Sequence, residues 1–153
     1  MRTYGAGTVT LRSFLATFHR PTTKALCVNM DWTQIELFKG IDLNDSFVLK
    51  WNYEGNCLSF DLEASIWPES CHYIEPKDGE YTCYRKATIK FENTRSVNGL
   101  NPIELVPSTT DPDGSTDYGN IEILSKTKSG FNLLGDFGSV NITGGELHFE
   151  VHT

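Results

Sequence analysis

Phe47-Val48-Leu49-Lys50-Trp51-Asn52-Tyr53-Glu54-Gly55-Asn56-Cys57-Leu58-Ser59-Phe60-Asp61-Leu62-Glu63-Ala64 is the stretch that decides the fold class. Phe47, Leu49, Trp51 and Tyr53 alternate with Val48, Lys50 and Asn52, and Leu58, Phe60, Leu62 and Ala64 alternate with Ser59, Asp61 and Glu63. A period of two belongs to strands, whose successive side chains leave opposite faces. Glu54-Gly55-Asn56 between the two runs supplies turn chemistry, so the stretch predicts a β-hairpin.

The pattern extends in both directions. Trp67-Pro68 ends the second strand, because proline lacks the amide that a ladder needs. A turn at Pro76-Lys77-Asp78-Gly79 leads into a long strand over residues 81–92, with Cys83, Ala87, Ile89 and Phe91 on one face. Residues 94–118 read as loop, with a short strand at 103–106 as an option. Residues 121–125, 131–137 or 131–140, and 146–151 read as three more strands, joined by Lys128-Ser129-Gly130 and Thr143-Gly144-Gly145. In the last of them Leu147, Phe149 and Val151 alternate with Glu146, His148, Glu150 and His152. Upstream, Thr33 and Glu36 have capping-box spacing, Trp32 and Leu37 take hydrophobic-staple positions, and Gly40 ends the turn, which predicts a short helix at about residues 34–39. The expected fold is mainly β: an antiparallel meander forming a sandwich or a partly open barrel, with one short N-terminal helix.

Charge divides the chain. Residues 1–30 hold Arg2, Arg12, Arg20 and Lys24 and no acid, whereas residues 31–153 hold nine Lys or Arg against twenty Asp or Glu, a net of −11. Residues 1–29 therefore read as a basic, acid-free leader outside the fold, with Met30 as an alternative start, and residues 30–153 as a single acidic β domain. An acidic surface repels phosphate backbones and argues against nucleic acid. A basic protein is the partner such charge favours. The apolar run from Phe14 to Phe18 is too short to span a bilayer, so no membrane association is expected. Cys27, Cys57, Cys71 and Cys83 lack the spacing of a disulfide framework and read as free thiols in a cytoplasmic, reducing setting.

Chemistry is sparse. Asp111, Asp113, Ser115, Asp117 and Glu122 fall at positions 1, 3, 5, 7 and 12 of a calcium-loop frame, but Thr116 stands where that frame needs glycine. Cys71-His72 with Cys57 and Cys83 lacks the paired spacing of a zinc site. Gly135-Asp136-Phe137-Gly138 contains no nucleophile and lacks the companion motifs that give Asp-Phe-Gly a meaning in kinases. Asp61 and Glu63 share one strand face, the polar one, where two solvated carboxylates are normally ordinary solubilising residues. His148 and His152 share a face about 13 Å apart, too far to chelate one metal. No cofactor motif is present.

In outline, a short capped helix before a compact acidic meander broadly resembles many small bacterial proteins of unknown function, some of them immunity or partner-binding domains, and no stretch matches one family. The leading expectation is a non-enzymatic binding protein, monomeric or homodimeric, using Trp67, Tyr73, Asp111, Asp113, Asp117 and Tyr118 in the loops at 66–80 and 107–120. The alternatives are a calcium-stabilised β module on the 111–122 loop and a small hydrolase with an acidic cleft.

Overall fold

The computed structural model describes residues 29–152, and the readings of residues 1–28, the leader and Cys27 included, lie outside the described residues. Among the described residues nine strands run in chain order: β1 (Met30–Asp31), β2 (Ile41–Glu54), β3 (Cys57–Ile66), β4 (Cys83–Leu100), β5 (Thr109–Thr110), β6 (Thr116–Asp117), β7 (Ile121–Lys126), β8 (Gly130–Gly135) and β9 (Gly138–Val151). Seven of them form one antiparallel sheet in the order β1-β7-β8-β9-β4-β3-β2, and β5 with β6 forms a small second one. Two local meanders, β2-β3-β4 and β7-β8-β9, are thus sewn together by the long β4–β9 ladder.

The sheet curls until its ends meet. Val48 of β2 donates its amide to the Gly119 carbonyl (2.7 Å) and accepts from the Tyr118 amide (2.8 Å). Asn44 reaches the Ile121 carbonyl with its side-chain amide (2.9 Å), and Asn120 returns one to the Asn44 carbonyl (2.9 Å). These bonds satisfy polar groups at the sheet ends and make the sheet a partly open barrel. Its interior is filled by Leu43, Val48, Leu58, Phe60, Leu62, Ile66, Ile89, Phe91, Ile121, Leu124 and Leu133, all fully buried. Phe137 is wedged between Phe60 (ring centroids 4.8 Å apart) and Trp51 (6.0 Å).

Strict alternation along β2 does not survive. Val48 pairs with Leu62 and Lys50 with Asp61, so Leu49 is an extra residue, a β-bulge that shifts the phase of the strand. Val48 and Trp51 consequently both turn inward, while Phe47 is left 38% exposed on the outer face.

Three further expectations are corrected. The helix at 34–39 is a pair of single 3-10 turns, Trp32–Gln34 and Glu36–Phe38, separated by an extended Ile35. Trp32 and Phe38 are both buried, and six positions at roughly 100° each would place them on different faces of a continuous helix. The cap is Asp31, which accepts from the Thr33 amide (3.1 Å) while the Gln34 side chain accepts from the Asp31 amide (3.2 Å). Leu37, offered as half of a staple, is exposed. Thr143-Gly144-Gly145 is a kink inside β9 rather than a link. The β8–β9 turn is Asp136-Phe137, where any side chain at Gly135 would strike the Phe137 ring at 2.4 Å. Finally, β4 continues to Leu100, and residues 103–105 form a 3-10 turn in place of a strand.

Candidate functional site

Turning Phe47 and Leu49 outward gives the outer face of β2–β4 an apolar floor. Together with Tyr84 they line a trough of about 340 Å³ whose other lining residues include Glu63, Lys86, Asp111, Asp113 and Asp117. The sheet supplies the floor and the β5–β6 hairpin supplies one acidic wall. A second hollow of about 320 Å³ shares Glu63, Tyr84 and Lys86 and continues to Ile74, Lys77 and Glu80 in the connection between β3 and β4. Both loops named from sequence therefore flank one surface. Lys86 is drawn to Glu63 at 3.2 Å, and among the described residues none of the three hairpin aspartates forms an ion pair.

A hydrogen-bonded chain ties the β3–β4 connection to the sheet beside this trough. Tyr84 donates to the Tyr81 hydroxyl (2.7 Å), and Tyr81 donates to the Asp45 carboxylate (2.7 Å). The Tyr84 ring lies 5.8 Å from that of Phe47. Burial first, then the hydrogen bond with Tyr81 and the charge of Asp45, push the Tyr84 phenol far above its ordinary value. Sequence reading missed this cluster, because Asp45 stands in an irregular part of β2 and nothing in its spacing points to Tyr81.

The Asp111-to-Ser115 segment is a tight turn closing the β5–β6 hairpin. The Asp111 amide donates to the Ser115 carbonyl (2.8 Å) and the Gly114 amide to the Asp111 carbonyl (2.9 Å). Asp113 accepts from the Ser115 hydroxyl (2.6 Å) and amide (2.9 Å), and these bonds hold its carboxyl below the usual aspartate range. Asp117 accepts from the Gly119 amide (2.9 Å). Glu122 stands on β7, beyond the hairpin. The carboxylates at 111, 113 and 117 share the trough, and all three serve as local acceptors, Asp111 through a longer contact from the Ser115 hydroxyl (3.4 Å). Among the described residues no group of three or more His, Cys, Asp or Glu converges as a metal site would require. Cys83 is buried, Cys57 half-buried and Cys71 exposed, and all three are free thiols.

The polar face of β3, β4 and β9 carries a second network. His152 Nε2 lies 2.8 Å from the Thr88 hydroxyl, which donates to Asp61 at 3.0 Å, and His152 Nδ1 lies 3.3 Å from Glu150. His148 pairs separately with Glu92 at 3.1 Å, beside a hollow of about 180 Å³. Hydroxyl, imidazole and carboxylate in a row have the elements of a hydrolytic triad. The surroundings oppose that chemistry. Thr88 sits in a strand bonded on both sides, so its backbone offers no spare amide to an oxyanion. The Asp61 carboxylate beside its hydroxyl repels developing negative charge. Asp61 and Glu63 are each held by a lysine, Lys50 at 3.5 Å and Lys86 at 3.2 Å.

The three aromatic anchors expected from sequence go to different places. Tyr118 packs edge-on against Trp51 at 5.2 Å, and Tyr73 is half-buried against the core. Trp67 is exposed and lines a separate concavity of about 440 Å³ with Trp32, Ile35, Phe38 and Asp42. Among the described residues no helix is long and apolar enough to cross a membrane.

No family model, curated protein or solved structure matches the chain.

Proposed function

We propose that the protein is a non-enzymatic binding domain of a reducing, cytoplasmic setting that holds a basic segment of another protein in the trough over β2–β4. The observation that carries this reading is the pairing of an outward Phe47 and Leu49 with Asp111, Asp113 and Asp117 in one concave surface. Aliphatic stems of Lys or Arg pack on such a floor while their charged ends meet the carboxylates. A net charge of −11 over residues 31–153 steers a cationic partner toward it. The free thiols Cys57, Cys71 and Cys83 are in keeping with a reducing compartment.

The test is capture from the native cell at low salt by the full chain and by two variants, Phe47→Ser and the triple Asp111→Asn, Asp113→Asn, Asp117→Asn. A basic protein retained by the parent, released by added salt and lost from both variants is the expected result. Retention unaffected by either variant, or no basic protein retained at all, overturns the reading.

A further inference from the structure

At the far end of β4 the charge pattern reverses. A hollow of about 250 Å³ is lined by Arg95, Lys126, Lys128, Thr127, Ser129 and, on β9, Gly144 and Gly145, with no carboxylate in its lining. It gathers three of the nine cations of residues 31–153 and none of their twenty acids. Among the described residues none of the three cations forms an ion pair. Like charges converging without counter-charge repel one another, so the arrangement raises the local potential for an anion even on an acidic protein.

The backbone is shaped around this hollow. β4 pairs Thr94 with Gly144 and Ser96 with Thr143, which leaves Arg95 as the extra residue of a bulge. Bulges re-aim side chains. Opposite it, Gly144 and Gly145 both have positive φ, 72° and 94°, and a Cβ at Gly144 would sit 3.1 Å from the Arg95 Nε. Only glycine there lets the guanidinium lie along the β9 kink. The Lys126-to-Gly130 turn is held on the other side by Gly130 donating to the Thr127 hydroxyl (3.0 Å) and Gly144 donating to the Ser129 carbonyl (2.7 Å).

We propose that this hollow is an anion site for a phosphate group, free or as a small monoester. A guanidinium fork with two ammonium groups and two hydroxyls matches the several acceptor oxygens of a tetrahedral dianion. The volume accommodates a phosphate with a short substituent. Arg95 lies nine residues along β4 from Lys86, about 30 Å away, so this site and the trough are tested independently.

The experiment is an amide chemical-shift titration of the full chain with inorganic phosphate and, in a second arm, methyl phosphate, at constant ionic strength. Saturable shifts confined to residues 126–131 and 143–145, with a Kd of about 1 mM or tighter, are expected. The double variant Arg95→Met, Lys128→Met weakens them about tenfold or more, while Lys50→Met, Lys90→Met on the outer face leaves them unchanged. Response in the inorganic arm alone assigns free phosphate, and response in both arms assigns a monoester headgroup. Failure to saturate by about 50 mM, equal shifts in the double variant, or binding of an aspartate-rich peptide without either phosphate overturns the site.

Discussion

Val48 accepts a hydrogen bond from the Tyr118 amide at 2.8 Å and donates its own amide to the next carbonyl along, that of Gly119. This pair of bonds joins the two ends of the curled sheet. Gly119 has φ of 80°, and a Cβ there would stand 2.9 Å from an Asp136 carboxylate oxygen. Gly119→Ala is expected to cost about 1–3 kcal/mol, read as a lowered midpoint in urea unfolding. A midpoint equal to that of the parent would show that the closure contributes nothing to stability.

The bulge at Leu49 makes neighbouring residues respond unequally. Val48→Ala opens a cavity in the packed interior and is expected to lose about 2 kcal/mol. Phe47→Ser, on the outer face, is expected to lose less than about 1 kcal/mol despite removing the larger side chain. Thermal melts of the two variants side by side check the order, and a larger loss for Phe47→Ser would refute the register.

Alkaline titration reports on the tyrosine chain. The Tyr84 phenol is raised above its unfolded value of about 10. A group whose folded pKa is raised contributes stability that is whole below the unfolded value and is lost as pH climbs through the folded one. Ultraviolet absorbance is therefore expected to show Tyr84 resisting ionisation past pH of about 10, with its signal removed in Tyr84→Phe. Asp45→Asn removes the terminal acceptor charge and is expected to ease the ionisation.

Acid acts on the hairpin with the opposite sign. The depressed Asp113 carboxyl contributes fully above an unfolded value of about 3.9 and loses that contribution as pH falls through its folded pKa. Carboxyl carbon shifts followed by NMR are expected to place the Asp113 midpoint below the ordinary aspartate value of about 3.9. Asp113 already accepts two bonds from Ser115, so millimolar calcium is expected to move the thermal midpoint by less than about 1 °C. A rise of several degrees, reversed by chelator, would instead establish the loop as a calcium ligand.

Sequence carried the strand content because period two is a property of the backbone. The Gly55-Asn56 turn and the inward row Cys83, Ala87, Ile89 and Phe91 could be read directly, and both are found. The bulge at Leu49 was illegible, since almost any residue can be the inserted one and the apolar side chains on both sides of it mask the change of phase. The kink at Gly144-Gly145 reads locally as a turn, and only its ladder with β4 shows that the strand continues. The trough was half legible. Its aspartates stand out in the Asp111 to Asp117 run, whereas Phe47, Glu63 and Tyr84 join them only through the topology.

The long seam between β4 and β9 also dictates an order of assembly. The first meander can form as soon as Leu100 has been made, but its partner strand follows only after Gly138. Until then the eighteen-residue β4 is a bare ladder edge, the kind of template on which chains recruit one another. Joining partners so distant along the chain is slow. The Lys86, Lys90 and Glu92 charges along that strand, together with the Arg95 bulge, are features of the kind that oppose such recruitment.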